Sequence, residues 1–307
     1  MPERVERELG GHAFSFSNPN KVLFPDDGIT KADLVDYHER IADAMLRHLS
    51  DRPVTLERYP DGIDKKSFFQ KDASKHFPDW IRRVEMPKAK GTVNHVLVDN
   101  AAALAYLAGQ AAITFHVWLS RCDKPFHPDR LVFDLDPSTD DFGEVRAAAF
   151  AFRDVLDDLG LARYVQTTGS RGLHVVVPLD RSADIETVRG FAEDLAEVVA
   201  HDAPDRFTTA FRKDEREGRL FLDVMRNGYA QTMVSPYSVR PKPGAPVATP
   251  LEWDELDDTS LDARRFNVRN VIDRVEQGGD PWADINRHAH SLTQPRKKLD
   301  ALRAERL

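Results

Sequence analysis

Apolar side chains recur at helical spacing in the segment that follows residue 30. The apolar face of this predicted amphipathic helix consists of Leu34, Tyr37, Ile41, Met45 and Leu49. Thr30 and Asp33 at its start resemble a capping box, with Asp in place of the usual Glu. The pattern therefore predicts a capped helix that ends before Pro53.

Helical and strand patterns alternate through the rest of the chain. Strands are predicted at 54–58, 93–98, 130–135, 163–167, 173–179, 219–224 and 232–239. Helices are predicted after Asn100, at 144–159 with Gly160 as the stop, and at 184–200. The Pro-rich stretch 241–250 predicts a loop that leads to a C-terminal helical segment. Because hairpins are mixed with helices, we expect an α/β fold with mixed sheets, of α+β type, rather than a strict βαβ series.

The composition is typical of an ordinary globular protein, with 307 residues of which 41% are hydrophobic and 31% charged. No run approaches the roughly 18 consecutive apolar residues of a membrane helix. The charged start of the chain lacks the apolar region of a secretory signal. Cys122 is the single cysteine, which excludes an intrachain disulfide and a Cys-based zinc site. These features predict a cytoplasmic protein.

Charge is segregated along a chain whose net charge is −8. Residues 65–90 include eight basic and three acidic residues, whereas 251–262 include six acidic residues and no basic one. The acidic balance argues against a protein that coats nucleic acid non-specifically. The basic segment predicts either a solvated lysine face or a focused basic groove.

Carboxylates lie at the ends of two predicted strands. Asp134 and Asp136 alternate with apolar residues and so project from one face, while the other face turns to the core. Adjacent carboxylates repel unless a cation lies between them, and Mg²⁺ or Mn²⁺ prefers such oxygen clusters. Asp223 lies within a second apolar strand, predicted at 219–224. If the strands are neighbours, the three form a two-metal site for nucleotidyl transfer; otherwise the first two are exposed turn residues and the third pairs with an arginine.

The turn at 168–172 offers groups that bind phosphate. Its glycines expose backbone N–H groups, and Thr168, Ser170 and Arg171 add hydroxyls and a cation. His174 follows in the next strand. We interpret these residues as a nucleotide-binding turn; the alternative is an ordinary hairpin turn followed by a structural histidine.

Two adjacent aromatic residues, Phe68 and Phe69, stand beside Lys71 in the basic segment. Neighbouring residues of a strand face opposite sides, so both rings cannot belong to the core if the segment is extended. Exposed rings among lysines suit stacking on bases, which is worth roughly 1–3 kcal/mol per base. The alternative is one core ring and one surface ring.

Together these residues resemble the polymerase domain of bacterial ATP-dependent ligase D and its stand-alone paralogues, within the archaeo-eukaryotic primase superfamily. The matching segments run in family order across about residues 14–285: NPNKVLFP (18–25), TKAD (30–33), DRPVT (51–55), RYPDG (58–62), SFFQK (67–71), HVW (116–118), DRLVFDLDP (129–137), TTGSRGLH (167–174) and PYSVR (236–240). Each motif is weak alone, but the ordered set is highly specific.

The resemblance implies a role for each matching position. Asp134, Asp136 and Asp223 would bind two divalent metals, Mn²⁺ or Mg²⁺. The nucleotide site would be lined by Thr168, Arg171, His174 and Arg240, with Arg58 and His116 nearby and Ser170 added from the turn. The DNA contacts would be Asn18, Lys21 and Lys31 at a downstream 5′-phosphate, and Phe68 and Phe69 stacking near the templating base, with Lys71 beside them.

The resemblance also implies a fold and a function. We expect one primase-polymerase domain at 1–290, with an N-terminal α/β module at about 1–110 packed against a primase-like catalytic core at about 111–290, and a basic tail or linker at 291–307. Such proteins fill gaps and extend ends in bacterial non-homologous end joining. They use ribonucleotides or deoxyribonucleotides, often favour the former, and work at the nucleoid with Ku and a DNA ligase.

The chain departs from the family in several places. Thr168 and Arg171 replace the Ser and Lys of many members, and Arg226 replaces a Gln in the segment that follows Asp223. No Lys-x-Asp-Gly ligase motif is present, so we expect a stand-alone polymerase or one domain of a longer protein. The alternatives are a non-catalytic DNA-end adaptor, a glycosyltransferase with an Asp-x-Asp motif, and a phosphatase of haloacid-dehalogenase type, in which Ser138 would stand four residues after the first Asp.

Overall fold

The computed structural model describes residues 3–137 and 141–307. Its six α-helices in these ranges are α1 Lys31–Leu49, α2 Ala101–Gly109, α3 Phe142–Leu159, α4 Ile185–Asp202, α5 Val271–Gly278 and α6 Thr293–Arg306. Its strands are β1 Arg4–Leu9, β2 His12–Ser17, β3 Val22–Phe24, β4 Ile29–Thr30, β5 Val54–Arg58, β6 Phe68–Gln70, β7 Arg83–Pro87, β8 Thr92–Val96, β9 Ala112–Trp118, β10 Arg130–Asp136, β11 Tyr164–Thr167, β12 Leu173–Pro178, β13 Phe207–Thr208, β14 Leu220–Asp223, β15 Thr232–Val234 and β16 Pro250–Leu251.

The chain divides into two compact units. The first contains the described residues up to Trp118 and the segments Val234–Thr249 and Phe266–Asp280. The second contains Leu119–Met233, Pro250–Arg265 and Pro281–Leu307. The first unit therefore includes β9 and is formed by three separate segments of the chain. The sequence suggested one continuous module at about 1–110.

The first unit is built on a sheet with β5 at its centre. β9 pairs with one edge of β5, β6 and β8 share the other edge, and β7 lies outside β8. Helix α1 packs against α2 and buries the predicted face, including Leu34, Ile41 and Met45. Its capping box is confirmed, because the Thr30 side chain accepts from the Asp33 N–H and the Asp33 carboxylate accepts from the Thr30 N–H.

The second unit is built on a sheet with the strand order β13-β14-β10-β12-β11-β16. β10 is antiparallel to both of its neighbours, β12 and β14. One face of β10 is buried as the alternation predicts, and the Phe133 ring stacks on Phe152 of α3 with 4.2 Å between ring centroids. Helices therefore cover one face of this sheet, and the carboxylates of β10 project from the other.

The C-terminal segment, expected as a basic tail or linker, is helix α6. Its arginines form ion pairs with acidic side chains of α4: Arg296 lies 2.7 Å from Asp194, and Arg303 lies 2.6 Å from the same carboxylate. Leu299 is fully buried beneath them. The basic side chains of this segment thus complement an acidic helix face, and burial of Leu299 supplies the apolar contact that holds the helix.

The predicted strand at 232–239 is formed only at Thr232–Val234. Pro236 has no N–H to donate to a ladder, and Tyr237 adopts a left-handed φ of 64°. Both features end the strand early.

Within the described ranges, no helix combines the length and apolar character needed to cross a lipid bilayer.

Candidate active site

Four polar residues form one row across the sheet of the second unit. Gln166 on β11 is opposite His174 on β12, His174 is opposite Asp134 on β10, and Asp134 is opposite Asp223 on β14. Directly opposite residues in antiparallel strands project from the same face. The condition set by the sequence is therefore met, since the strands that carry the carboxylates are neighbours.

Asp134 is the buried centre of this row, and two positively polarised groups contact it. His174 Nε2 lies 3.5 Å from Asp134 Oδ1, and Arg226 donates from Nε to Asp134 Oδ2 at 3.1 Å. Burial opposes ionisation of this carboxyl, but His174 and Arg226 outweigh it and hold the pKa of Asp134 below its usual range. Asp134 is therefore ionised near neutral pH.

The pKa values of the two neighbouring carboxyls shift in the opposite direction. Burial raises the pKa of Asp136, and the charge of Asp134 raises it further. Burial and Asp134 likewise raise the pKa of Asp223, although the Met225 N–H, 2.7 Å away, partly compensates. Three carboxyl groups thus lie close together, and ionising all of them costs electrostatic free energy. A bound cation lowers this cost.

The donor set fits a hard divalent metal by its chemistry, since it consists of carboxylate oxygens in adjacent positions. The side chains are not prearranged for one: within 3–137 and 141–307, no group of three or more His, Cys, Asp or Glu is arranged to hold a metal ion. Arg226 instead supplies positive charge to Asp134. A bound metal ion would displace the Arg226 guanidinium from Asp134 and contact the carboxylate in its place.

The turn at 168–172 is held by its own hydroxyl. The Thr168 side chain accepts from the Gly172 N–H at 3.2 Å, and the Thr168 N–H donates to the Gly172 carbonyl at 2.9 Å. The Arg171 guanidinium donates to the Pro137 carbonyl, and Arg264 donates to the Ser170 carbonyl. The turn is therefore tied to the end of β10.

Gly172 is required because this turn approaches β10 too closely for a side chain. A Cβ at this position would lie 2.0 Å from the Leu135 carbonyl oxygen and 2.8 Å from Asp136 Oδ1. Glycine thus brings the turn against the carboxylates. The turn residues and His174 thus lie beside the acidic row, while their binding of a nucleotide stays a prediction.

Asn227 is a residue whose role the sequence did not indicate. β14 ends at Asp223, so Val132 on β10 has no strand partner there. The Asn227 carboxamide replaces it: Oδ1 accepts from the Val132 N–H at 2.9 Å, and Nδ2 donates to the Val132 carbonyl at 2.8 Å. The signal available in the sequence was an asparagine four residues after Asp223, whose side chain can both donate and accept.

In the first unit, β6 presents two aromatic rings to solvent. Phe68 is 44% exposed and Phe69 is 60% exposed, so the alternative with one core ring is wrong. Phe68 lies opposite Arg58, whose guanidinium stands 5.3 Å from the ring centroid. Phe69 lies 5.7 Å from the His116 ring, centroid to centroid. Arg58 and His116 are therefore neighbours of the predicted stacking residues.

Glu57 and Tyr59 join the same region without having been singled out from the sequence. Tyr59 donates to Glu57 at 2.7 Å, and His116 Nε2 lies 3.6 Å from the other carboxylate oxygen. Burial opposes ionisation of Glu57, but His116, Tyr59 and the charge of Arg240 lower the pKa of this carboxyl. The predicted residues His116 and Arg240 thus act on one carboxylate.

The three residues predicted at a 5′-phosphate are brought together by backbone contacts. The Lys21 N–H donates to the Asn18 carbonyl, and the Lys31 N–H donates to the Lys21 carbonyl. The Lys21 ammonium lies 2.5 Å from Asp61, and the Lys31 ammonium donates to the Ser17 carbonyl at 2.8 Å. These contacts place two ammonium groups on adjoining segments.

Lys31 is in an environment that favours an anion. Burial lowers the pKa of its ammonium, and the nearby charges of Lys21 and Arg58 lower it further. Cations crowded in this way gain from a bound negative group.

Lys71, the remaining predicted DNA contact, is exposed directly after β6. Ser138, on which the phosphatase alternative depends, lies outside the described residues.

Comparisons with known proteins give matches over most of this chain. A family model described as the LigD primase-polymerase domain matches residues 30–282. The multifunctional non-homologous end joining DNA repair protein LigD of Mycobacterium tuberculosis is 34% identical over 299 residues, which are 94% of this chain and 39% of that protein. The bifunctional non-homologous end joining protein LigD of Bacillus subtilis is 33% identical over 275 residues, 89% of this chain and 44% of that protein. The chain spans less than half the length of these relatives.

The fold has a close counterpart among solved structures. The polymerase domain of Mycobacterium tuberculosis ligase D, solved in complex with DNA, matches with a TM-score of 0.84 and 34% identity over 89% of this chain and 98% of that chain. This likeness confirms the mixed α/β, primase-like fold expected from the sequence.

Proposed function

Because this chain belongs to the LigD primase-polymerase domain family, we propose that it is a nucleotidyltransferase that extends primer 3′ ends on a DNA template. The observation that carries the proposal is the juxtaposition of Asp134 with Asp223 across β10 and β14, with Asp136 beside them. Its relatives are named for non-homologous end joining, so we assign it gap filling and end extension in that repair. Ku and a DNA ligase are the proposed partners, and the nucleoid the proposed place of action.

Asp134, Asp136 and Asp223 would hold two divalent metals, Mn²⁺ or Mg²⁺. Bound there, the metals would acidify the primer 3′-hydroxyl and stabilise the charge of the triphosphate and of the pyrophosphate that leaves. The protein contributes acidic side chains that strand pairing brings side by side on one sheet face, and a metal would complete their arrangement. Asn227 holds the edge of β10 where β14 stops, which keeps Asp134 in register.

The turn beside this row would bind the nucleotide. Thr168, Ser170, Arg171 and His174 present hydroxyls, backbone N–H groups, a guanidinium and an imidazole next to the carboxylates. In the first unit, we assign nucleotide contacts to Arg58, His116 and Arg240 as the resemblance implies. Asn18, Lys21 and Lys31 would hold a 5′-phosphate, and Phe68, Phe69 and Lys71 would contact DNA.

We propose that ribonucleotides are used at least as well as deoxyribonucleotides. The side chains of the turn next to the carboxylates are small or polar, and none is a bulky ring that would block a 2′-hydroxyl. Single-nucleotide insertion opposite a one-base gap compares kcat/KM for each matched NTP and dNTP. A consistent tenfold preference for dNTPs would overturn this part of the proposal.

The experiment that tests the activity is nucleotide extension on gapped DNA with Mn²⁺. Asp134→Asn and Asp223→Asn keep the side-chain shape but remove the charge, so both should abolish extension while DNA binding survives. Asp257→Asn removes an exposed carboxylate of the same unit and should extend like the wild type. Near wild-type extension by either active-site variant would refute the polymerase assignment, and wild-type DNA binding without any extension would favour the end adaptor.

A further inference from the structure

Tyr237 is a fully buried residue of the first unit, and the proposed chemistry has not used it so far. Its φ of 64° lies in the left-handed region, which a residue with a Cβ adopts only at a steric cost. Such a conformation persists where the surrounding structure holds it, and it occurs most often at functional sites. The contacts of Tyr237 identify the groups that hold it.

Buried side chains fix Tyr237 at its hydroxyl and at its carbonyl. The hydroxyl donates to Asp280 Oδ1 at 2.8 Å, and the carbonyl accepts from the Tyr37 hydroxyl at 2.8 Å. The other Asp280 oxygen lies 2.9 Å from His48 Nε2, and only 5% of the Asp280 side chain is exposed. Burial and the charge of Asp280 raise the pKa of Tyr237, so its hydroxyl keeps the proton that it donates. Tyr237 is thus held by α1 and by the segment that ends at Asp280.

The residues that follow Tyr237 are fixed to β9 by side-chain hydrogen bonds. Ser238 Oγ accepts from the Phe115 N–H at 2.8 Å, in the role that a strand carbonyl has in a regular ladder. The Val239 carbonyl accepts from the Thr114 hydroxyl at 2.8 Å. Because these bonds begin directly after the left-handed residue, its conformation determines where the chain continues along β9.

This segment leads to Arg240, a predicted nucleotide contact. The residue before it is bonded to Thr114, which lies directly opposite Glu57 in the β5–β9 pair. Burial raises the pKa of the Glu57 carboxyl. His116, Tyr59 and the charge of Arg240 act in the other direction and together hold this pKa below its usual range. The titration of Glu57 therefore reports where the Arg240 guanidinium stands.

We propose that Tyr237 is a positioning residue for Arg240. Asp280 and Tyr37 hold it in the left-handed conformation, and this conformation places the Arg240 guanidinium near Glu57, where it meets the nucleotide. The part that concerns the nucleotide rests on the proposed polymerase function. The part that concerns the placement of Arg240 is a property of the folded chain without nucleotide or metal.

The placement of Arg240 is measured by ¹³C NMR titration of the full chain with labelled glutamate. The Glu57 signal is assigned by its loss in Glu57→Gln. Arg240→Met removes the guanidinium and should raise the pKa of Glu57, which gives the full effect of this charge. Tyr237→Phe removes only a neutral hydroxyl and should raise the pKa of Glu57 by at least half as much. Since this substitution changes no charge, its effect reports a displacement of Arg240.

Tyr164→Phe is the matched control, because it removes a tyrosine hydroxyl that meets His288 Nδ1 in the second unit. It should leave the pKa of Glu57 at the wild-type value. An equal rise in this variant would overturn the proposal, since the effect would then not depend on Tyr237.

If Tyr237→Phe fails to fold, Tyr37→Phe decides instead. It removes the hydrogen bond to the Tyr237 carbonyl and should shift the pKa of Glu57 in the same direction. An unchanged pKa of Glu57 in the folded tyrosine variant would overturn the proposal, and so would an unchanged pKa in Arg240→Met.

The contribution to nucleotide binding has its own readout. Displacement of a guanidinium from the nucleotide should raise the nucleotide KM of Tyr237→Phe about tenfold, with little change in kcat. A merely structural role would lower the amount of active enzyme and leave KM unchanged. A shifted pKa of Glu57 with an unchanged KM would refute the nucleotide part. An inactive wild type would refute the polymerase function alone, because the titration uses no nucleotide.

Discussion

Asp134 on β10 lies directly opposite Asp223 on β14, although 88 residues separate them in the chain. Like charges at opposite positions of a sheet destabilise it, so this pair costs stability unless a cation compensates. In the structure, Arg226 compensates through its contact with Asp134. The Asp134–Asp223 pair thus does not stabilise the sheet; its two carboxylates create a negative potential that attracts a cation.

The first prediction concerns the competition between Arg226 and a metal. Arg226→Met removes the cation that occupies Asp134 Oδ2 at 3.1 Å, so Mn²⁺ no longer has to displace it. We expect Mn²⁺ affinity to rise on the order of tenfold, because a hydrogen bond to a charged group contributes roughly 1.5–3 kcal/mol and a factor of ten corresponds to about 1.4 kcal/mol. Isothermal titration calorimetry of the DNA-free protein measures this directly.

Arg287→Met is the matched control, since Arg287 is an exposed arginine of the same unit that pairs with Asp284. It should bind Mn²⁺ like the wild type. An affinity for Mn²⁺ that is unchanged or weaker in Arg226→Met would show that Arg226 supports the metal site instead of competing for it.

The second prediction concerns the close approach of the nucleotide-binding turn to β10. In Gly172→Ala, the new Cβ would meet the Leu135 carbonyl oxygen at 2.0 Å, so the turn must move away from Asp136. We expect a loss of about 2–3 kcal/mol in the free energy of unfolding and a marked loss of extension. Gly190→Ala in α4 meets no atom within 4 Å and should stabilise by about 0.5–1 kcal/mol. Urea unfolding of both variants checks this, and equal stabilities would contradict it.

The third prediction concerns His38, which is buried in α1 and contacts the Leu34 carbonyl through Nδ1. Burial lowers the pKa of His38 from 6.5 to about 4. Between these values the unfolded chain binds a proton that the folded chain does not bind, so stability falls as the pH falls through this window. The contribution is complete above pH 6.5, and about 3 kcal/mol of it is lost by pH 4.

His38→Met removes the titrating group, so its free energy of unfolding should depend less steeply on pH between 6.5 and 4. His76→Met changes an exposed histidine and should keep the wild-type slope. Urea unfolding at a series of pH values gives both slopes. Identical slopes for wild type and His38→Met would show that His38 is not responsible.

Local signals explain why much of the fold could be predicted. The capping box of α1, the Asn100 cap of α2 and the Gly160 stop of α3 each depend on residues within a few positions. Alternation in β10 likewise placed Asp134 on the face away from the core. The hairpin β1–β2 had a local signal as well, since Gly10 and Gly11 both take positive φ at its turn, but the charged strands obscured it.

The rest depends on contacts between distant segments, which no window of sequence contains. The register that aligns Gln166, His174, Asp134 and Asp223 is set when four strands pack together. The partners of α6, among them carboxylates of α4, lie about 100 residues earlier in the chain. The sequence shows that Arg226 replaces the Gln of the family, but it does not show that Arg226 contacts Asp134.

The last prediction concerns recognition of a 5′-phosphate by the first unit. Lys31 is crowded by Lys21 and Arg58, and a terminal phosphate carries more charge than a backbone phosphate. Wild-type protein should therefore bind gapped DNA with a 5′-phosphate more tightly than the unphosphorylated gap. In Lys21→Met this preference should fall roughly tenfold, since each charge-assisted contact is worth about 1.5–3 kcal/mol.

The Lys21 ammonium is shared with Asp61 at 2.5 Å, so Asp61→Asn should free it and strengthen the preference. Lys88→Met removes an exposed charge from the β7–β8 hairpin and should change the affinity for both DNAs equally. The ratio of the two dissociation constants in low salt is the measured quantity, because non-specific attraction to the backbone cancels in it. A ratio of one in the wild type, or a ratio in Lys21→Met equal to that of Lys88→Met, would remove Lys21 from phosphate recognition.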